Sequence, residues 1–250
     1  MNKRLPQQTS LQRQTKKQSA RSSARNASSP RPQPSPWGRP YTGNGTSTDA
    51  RSSCAGSEEP LIALVPDINL GRSLSSHPTL WFYVPYGSEL FTKGSFVLVD
   101  EDHNDVLHPL DFTLDNTPGF VGVRLPKSAS FIETNKSYHW YFELFCDDAS
   151  SVISVDGWIE RSNVPEWDTN DDSTAPEQWS DQTVQSPNQQ AYDFYRNHFI
   201  WFDAFDVMFQ EWSDTNSDDA KEELLSLLQS ANVALNSWPR DASVTQISYD

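Results

Sequence analysis

The feature that most constrains the fold is a nine-residue stretch, residues 138–146, in which two kinds of side chain alternate. In an extended chain successive side chains point to opposite faces, so every second residue shares a face. One row is almost entirely apolar and is predicted to face a core: Tyr138, Trp140, Phe142, Leu144 and Cys146. The other row is mixed: His139, Tyr141, Glu143 and Phe145. The alternation predicts a long β-strand with one buried face.

Short apolar bursts separated by Pro, Gly, Asn and Asp continue through residues 60–164, which is typical of an antiparallel all-β domain. We predict six or seven strands, at residues 61–65, 79–84, 95–100, 106–114, 119–125, 138–146 and 152–161. The third and fourth should form a hairpin, because turn-forming residues 102–105 separate them. Since Tyr138 starts the penultimate strand after a loop, we predict an immunoglobulin-like antiparallel β-sandwich.

After residue 187 the pattern becomes helical, so the chain is predicted to be mainly β with a helical C-terminal part. Large side chains recur at alternating spacings of three and four, at Ala191, Phe194, His198, Trp201, Phe205, Met208 and Trp212. They predict one amphipathic helix over 191–213, and a second helix should begin at the capping residue Ser217. This antiparallel α-helical hairpin has too wide an apolar face for solvent, so it must dock on the sandwich or on a partner.

The charge of the chain divides near residue 55: residues 1–55 sum to +9 and the remainder sums to −24. The basic part has little apolar surface to bury and is predicted to be disordered. The acidic body repels phosphate backbones, so we expect no nucleic acid on the folded body. The predicted organisation is a basic tail (1–58), a β-sandwich module (59–163), an acidic linker (164–187), a docked helical hairpin (188–236) and a C-terminal tail (237–250).

Two kinds of targeting segment are missing from the sequence as it stands. No apolar run approaches the 18 or so residues needed to cross a bilayer, so no transmembrane segment is expected. The basic start is not followed by the apolar stretch of roughly 7–15 residues that a secretory signal requires.

The chain carries no motif that predicts a catalytic residue, a metal or a cofactor. Asp100, Asp102 and Asn104 have the first spacings of a calcium loop, but Asp105 and Asp111 replace its glycine and glutamate, which favours a turn. The five histidines lack the spacing of a zinc site. Nucleophile elbows and phosphate-binding loops are absent from the sequence.

The last two strands bring together a candidate binding face. Asp156, Trp158 and Glu160 alternate with apolar residues and lie on the opposite side from them. If these strands pair, that side joins His139, Tyr141 and Glu143 in one mixed aromatic and acidic face. Two interpretations stay open: the helical hairpin covers this face, or the face binds a ligand.

Several motifs along the chain together resemble a cyanobacterial family that is catalogued as a domain of unknown function. In chain order they are Pro60-Leu61-Ile62-Ala63-Leu64-Val65-Pro66 with Gly71, His77-Pro78-Thr79-Leu80-Trp81-Phe82-Tyr83-Val84-Pro85, Phe96-Val97-Leu98-Val99-Asp100-Glu101, Pro118-Gly119-Phe120, Tyr138-His139-Trp140-Tyr141-Phe142 with Cys146-Asp147, Val155-Asp156-Gly157-Trp158-Ile159-Glu160-Arg161, and Tyr195, Trp201-Phe202-Asp203 and Leu227-Leu228. The resemblance covers about residues 54–235.

The resemblance implies export and a conserved pair of cysteine positions. Members of that family usually begin with an export signal and have one cysteine before the first strand and another in the Tyr-His-Trp strand. Cys54 and Cys146 occupy both places. Neighbouring first and penultimate strands of a sandwich would bring the two sulfurs within reach, so we predict a disulfide. The family has no established activity, so no catalytic residue is implied.

These observations favour a non-enzymatic binding or assembly module of the cyanobacterial cell envelope, periplasmic or at the cell surface, with a protein or glycan ligand. The alternative is a carbohydrate-active hydrolase that uses carboxylates on the outer sheet face.

Overall fold

A computed structural model describes residues 59–127, 132–146, 152–163, 187–235, 237–239 and 242–248. Nine strands and three helices lie in these residues: β1 Ile62–Ala63, β2 Leu70–Ser73, β3 Thr79–Val84, β4 Lys93–Val99, β5 Asp105–Thr113, β6 Gly119–Arg124, β7 Ser137–Phe145, β8 Val152–Arg161, α1 Pro187–Asn197, α2 Trp201–Thr215, α3 Asp218–Ser230 and β9 Ser243–Ser248. The predicted basic tail, Cys54 and the acidic linker up to residue 186 lie outside the described residues.

A five-stranded sheet has the order β2-β8-β7-β4-β5. Strand β7, built on the alternating stretch, pairs antiparallel with β8 and with β4, so that Trp140 lies beside Gly157 and Leu98. The predicted core row is confirmed, because Tyr138, Trp140, Phe142, Leu144 and Cys146 are all buried. A side chain at Gly157 would overlap the Trp140 ring, which explains glycine there. The β4–β5 hairpin is also confirmed.

A four-stranded sheet with the order β1-β3-β6-β9 packs on the five-stranded sheet. The Phe82 ring of β3 stacks on Phe142 of β7 with centroids 4.0 Å apart. Val121 and Val123 of β6 are fully buried in the same apolar core. The core row of each sheet is therefore directed at the other sheet.

The helices form a third layer on the face of the four-stranded sheet that points away from this core. Phe209 of α2 contacts Trp81 of β3 and Phe120 of β6, with ring centroids 4.0 and 5.1 Å apart. The Trp201 indole N–H donates to the carbonyl of Leu64 over 2.9 Å. These contacts bury the wide aromatic stripe, as the sequence required of a docked element. None of the helices in the described residues is long and apolar enough to cross a membrane.

Three features differ from the sequence prediction. The helix predicted over 191–213 is two helices, because the chain leaves α1 after Asn197 and Phe199 takes a left-handed conformation with φ 58°. The helical part therefore has three helices rather than a two-helix hairpin. Strand β2 was not predicted, and β9 lies within the predicted C-terminal tail. Both pair in parallel, β2 with β8 and β9 with β6, so the sheets are not purely antiparallel.

Candidate functional site

The register of β7 and β8 assembles most of the predicted face. His139 lies opposite Trp158, and Tyr141 lies opposite Asp156. The His139 Nε2 is 2.7 Å from Asp156 Oδ2, and its Nδ1 is 2.9 Å from the Tyr141 hydroxyl. The imidazole also stacks on Trp158, with centroids 4.6 Å apart and planes 8° from parallel. We name His139, Tyr141, Asp156 and Trp158 the histidine network.

The histidine network is mostly closed to solvent. His139 is 5% exposed and Trp158 is 9% exposed, whereas the Asp156 side chain is 41% exposed. Since both imidazole nitrogens already have partners, the network mainly fixes the orientation of its own side chains. Asp156 is its most accessible polar group.

The other two predicted residues lie on the same face but outside this hydrogen-bonded set. Glu160 forms an ion pair with Arg72 of β2, with 3.4 Å between Nε and Oε1. Glu143 is half-buried and pairs with Ser154 across the strands. Helix α2 packs on the outer side of the four-stranded sheet, where Phe209 contacts Trp81 and Phe120. The apolar stripe of a helix predicts that the helix packs on another surface. It does not predict which of the two sheets provides that surface.

A second candidate site lies where α1 and α2 meet the two sheets. It is a pocket of about 420 Å³ lined by residues of β2, β3, β6 and the turn at 74–78. Six of its residues matter most for its chemistry: Ser73, Thr79, Arg124, Tyr195, Asp203 and Asp206. We name this cavity the helix–sheet pocket. Pockets of about 300–1,000 Å³ with a few convergent polar groups are the usual form of small-ligand sites.

Asp203 projects from the first turn of α2 towards β2. Its Oδ2 accepts a hydrogen bond from the backbone N–H of Leu74 at 3.2 Å, and the Ser73 hydroxyl also bonds its carboxylate. Burial raises the pKa of Asp203 to about 6, against these hydrogen bonds, and the nearby charge of Asp206 adds to the increase. A carboxyl group with such a pKa changes charge near neutral pH.

Asp206 lies one helical turn later on α2. Its Oδ1 accepts from the Trp81 indole N–H at 2.9 Å, and its Oδ2 accepts from the Gln210 side chain at 2.9 Å. Burial raises the pKa of Asp206, while these donors and the positive charge of Arg124 oppose the increase. Asp206 therefore joins α2 to the sheet and also places a carboxylate at the pocket.

Thr79 and Arg124 face this carboxylate from the sheet, as direct neighbours across β3 and β6. Thr79 is 2% exposed, and its hydroxyl lies close enough to the Asp206 carboxylate to help lower the pKa of Asp206. The Arg124 Nε has no hydrogen-bond partner among the described residues.

The sequence carries one signal of this pocket. Phe202, Asp206 and Phe209 share one face of α2 at spacings of four and three, so an acid interrupts a docked aromatic stripe. An acid at such a position needs a polar partner on the surface that the helix covers. The identity of that surface, with Thr79 and Arg124, is not visible in the pattern. Within the described residues, no group of three or more histidine, cysteine or acidic side chains could hold a metal ion.

Comparison with known proteins gives one family and no activity. The family DUF928, Domain of Unknown Function, matches residues 44–239, which is more than half of the chain. Neither a curated protein nor a solved structure matches the chain. The chemistry of the site therefore rests on its geometry.

Proposed function

We propose that this chain, which belongs to the DUF928 family of domains of unknown function, is a non-enzymatic binding module whose ligand occupies the helix–sheet pocket. The observation that carries the proposal is the mixed polar lining of that pocket. Two aspartates, an arginine and a tyrosine are among the residues that line one cavity of about 420 Å³. Convergent polar groups of this kind fix the orientation of a small ligand.

The hydrogen bonds of the two carboxylates favour binding over turnover. Both carboxylate oxygens of Asp206 accept hydrogen bonds from side chains, those of Trp81 and Gln210. Asp203 accepts one from the backbone N–H of Leu74, just after β2. Groups held in this way are preorganised acceptors that keep one position. A general acid or base must instead reach a reacting atom with its proton position open.

One observation supports a second candidate, a carbohydrate-active hydrolase. The pKa of Asp203 is about 6, and Asp206 shares its pocket. A pair of carboxyl groups in one site is the usual acid and base of glycoside hydrolysis. In this hypothesis the catalytic acids are Asp203 and Asp206 of α2, whereas the sequence predicted carboxylates on the outer sheet face.

Release of reducing ends from envelope polysaccharide distinguishes the two candidates. The binding module releases none, whereas the hydrolase shows a bell-shaped pH profile that disappears in Asp203→Asn. Turnover that depends on Asp203 would overturn the non-enzymatic proposal.

Binding itself is tested by NMR on the ¹⁵N-labelled full chain titrated with oligosaccharides from an envelope extract. The reporters are the Trp81 indole, which bonds to Asp206, and the backbone amides of Leu74 and Ser75, two residues that line the pocket. We expect these signals to shift in the unmodified chain and to shift much less in Tyr195→Phe. If the shifts instead follow Asp156→Asn, the histidine network is the binding face and the pocket assignment is wrong.

The envelope location is a proposal that rests on the resemblance described above and on the cysteines. Cys146 is buried just after β7, and Cys54 lies outside the described residues. We propose that they form a disulfide, since structural disulfides persist in oxidising compartments such as the periplasm. Alkylation of cyanobacterial lysates before and after reduction tests both points. Labelling of both cysteines without reductant would remove the disulfide and the argument for export.

A further inference from the structure

We infer that the helix–sheet pocket binds its ligand through a carboxylate group, which pairs with Arg124 and with the Tyr195 hydroxyl; this rests on the proposed binding function. A uronic acid residue of a glycan and the C-terminus of a peptide both present such a group. The pocket of about 420 Å³ lies at the lower end of the range of roughly 300–1,000 Å³ for ligand sites, so the ligand is small.

Arg124 is a charged group of the pocket that the fold leaves without a partner. It lines the cavity from β6 and forms no ion pair or hydrogen bond within the described residues. Its positive charge lowers the pKa of Asp206, but the two side chains are not in ion-pair contact. Only Nε is both buried and unpaired, so Nη1 and Nη2 reach solvent. These two nitrogens are a fork that binds a carboxylate in a bidentate way.

The two acids of the pocket already have donors from the fold. Asp206 accepts one hydrogen bond at each carboxylate oxygen. Asp203 accepts from a backbone N–H at 3.2 Å and also bonds the Ser73 hydroxyl. A cationic ligand would compete with hydrogen bonds that hold α2 on the sheets, whereas a carboxylate leaves them in place. The free binding capacity of the pocket is therefore that of a donor rather than that of an acceptor.

Tyr195 adds a second donor from the opposite wall. It is half-buried on α1, lines the pocket, and its hydroxyl has no hydrogen-bond partner within the described residues. Burial, and then the negative charge of Asp203, raises the pKa of Tyr195, so the hydroxyl keeps its proton at neutral pH. Hydrogen bonds from a hydroxyl to a carboxylate are stronger than those between neutral groups. A carboxylate bound by Tyr195 and Arg124 joins the helical layer to the sheet.

The acids of the pocket make its affinity for an anion depend on pH. Asp203 and Asp206 oppose a further negative charge, and Arg124, Tyr195 and His77 are the other titratable groups that line the cavity. Burial raises the pKa of Asp203 to about 6, so below this pH the ligand meets one negative charge fewer. Affinity for a carboxylate should therefore rise as the pH falls. A phosphate group, with a charge near −2, meets more repulsion than a carboxylate does.

Matched probes test the ligand class and its source. Glucuronate is compared with neutral methyl glucoside and cationic glucosamine, and acetyl-glycyl-alanine is compared with its C-terminal amide. Each is titrated into the ¹⁵N-labelled full chain, with the Trp81 indole and the Leu74 and Ser75 amides as reporters. We expect a carboxylate to bind at least about tenfold more tightly than its neutral counterpart, and the tighter of the two carboxylates identifies the source.

Two results with these probes would overturn the inference. Tighter binding of a neutral or cationic probe at the same signals overturns it and leaves the binding function standing. Silence of the pocket signals with every probe also overturns it, whereas a response to the envelope oligosaccharides would still support the proposed function.

Two variants test the residues that are assigned to the carboxylate. Arg124→Gln should weaken binding of the carboxylate at least about tenfold, while Arg196→Gln, an exposed arginine in the last turn of α1, makes the same change of net charge and should leave binding unchanged. Tyr195→Phe removes only a hydroxyl and should also weaken binding, so it keeps the test valid if Arg124→Gln lowers the thermal midpoint. Unchanged affinity in both variants overturns the inference.

A pH series gives a readout that a merely structural role of these residues would not produce. Both carboxylate probes stay ionised at about pH 5, because such groups titrate near about pH 3.5. Their affinity should be about fivefold higher at about pH 5 than at about pH 7.5, whereas that of methyl glucoside should not change. Asp203→Asn should remove this dependence, and His77→Gln should keep it. Carboxylate affinity that falls at the lower pH overturns the inference, because an anion gains when a neighbouring negative charge is lost.

Discussion

The outer faces of the two sheets carry similar side chains, but they obtain their partners in different ways. On the four-stranded sheet, the Trp81 indole bonds to Asp206, a residue 125 positions later on α2. On the five-stranded sheet, His139 bonds to Asp156, which is 17 positions later on the neighbouring strand. The aspartate partner of the first face comes from a docked helix, whereas that of the second comes from a neighbouring strand. Aromatic content alone therefore does not tell which sheet face a helix will cover.

The largest loss of stability is expected at the contact between α2 and the four-stranded sheet. Phe209→Ala removes a fully buried ring that contacts Trp81 and Phe120, and should lower the free energy of unfolding by about 3–5 kcal/mol. Val207→Ala, a half-buried position on the same helix, should cost much less. Urea unfolding of the full chain measures both. Equal costs would mean that α2 does not depend on this aromatic contact.

The next effect is a pH dependence that belongs to the helix-covered side. The folded pKa of Asp203, about 6, exceeds its ordinary value of 3.8, so between these values the folded chain holds a proton that the unfolded chain has released. Stability should therefore fall as pH rises through this window, by about 2 kcal/mol after allowance for solvent in the pocket. Burial raises the pKa of Asp206 as well, which acts in the same direction.

Asp203→Asn should flatten this pH profile, while Asp214→Asn, at an exposed position near the end of α2, should leave it unchanged. Thermal unfolding between about pH 4 and pH 7.5 provides the measurement. A slope of undiminished size in Asp203→Asn would assign the titration to another group.

A smaller effect is expected at the histidine network. Tyr141→Phe removes the hydroxyl that bonds the Nδ1 of the buried His139, and should cost about 1–2 kcal/mol. Combined with Asp156→Asn in a double-mutant cycle, it measures the coupling through the imidazole. Strict additivity of the two changes would show that the network does not act as a unit.

The smallest effect tests local helix structure rather than either sheet face. The Ser217 hydroxyl accepts from the backbone N–H of Ala220 and caps α3. Ser217→Ala should cost about 1 kcal/mol, and Ser217→Asp should restore most of it because aspartate also caps. Should Ser217→Asp fail to restore stability, the hydroxyl has another role.

Local patterns in the sequence predicted the parts of the fold that depend on neighbouring residues. The alternation in residues 138–146 located strand β7 and its buried row, and the turn residues 102–105 located the β4–β5 hairpin. The cap at Ser217 also appears where predicted. Pairing of β7 with β8 then followed, and it brought His139, Tyr141, Asp156 and Trp158 together.

The sequence could not predict the features that depend on contacts between distant segments. The apolar stripe continues through residues 198–200, so it does not show that the chain turns there and separates α1 from α2. Strand β2 has four residues including Gly71, which is too short a pattern to predict a strand. Its strand conformation comes with its pairing to β8. The pattern of residues 243–248 likewise predicts no strand, and these residues form β9 by pairing with the edge of β6.

Periods of two and about 3.6 residues along the chain predicted which residues face inward and where the strands give way to helices. Only the tertiary structure decided which sheet the helices cover and that Asp203, Asp206, Thr79 and Arg124 share a pocket. These residues come from three separate elements, β3, β6 and α2. Their chemistry arises from burial and mutual distance, and a linear pattern carries neither quantity.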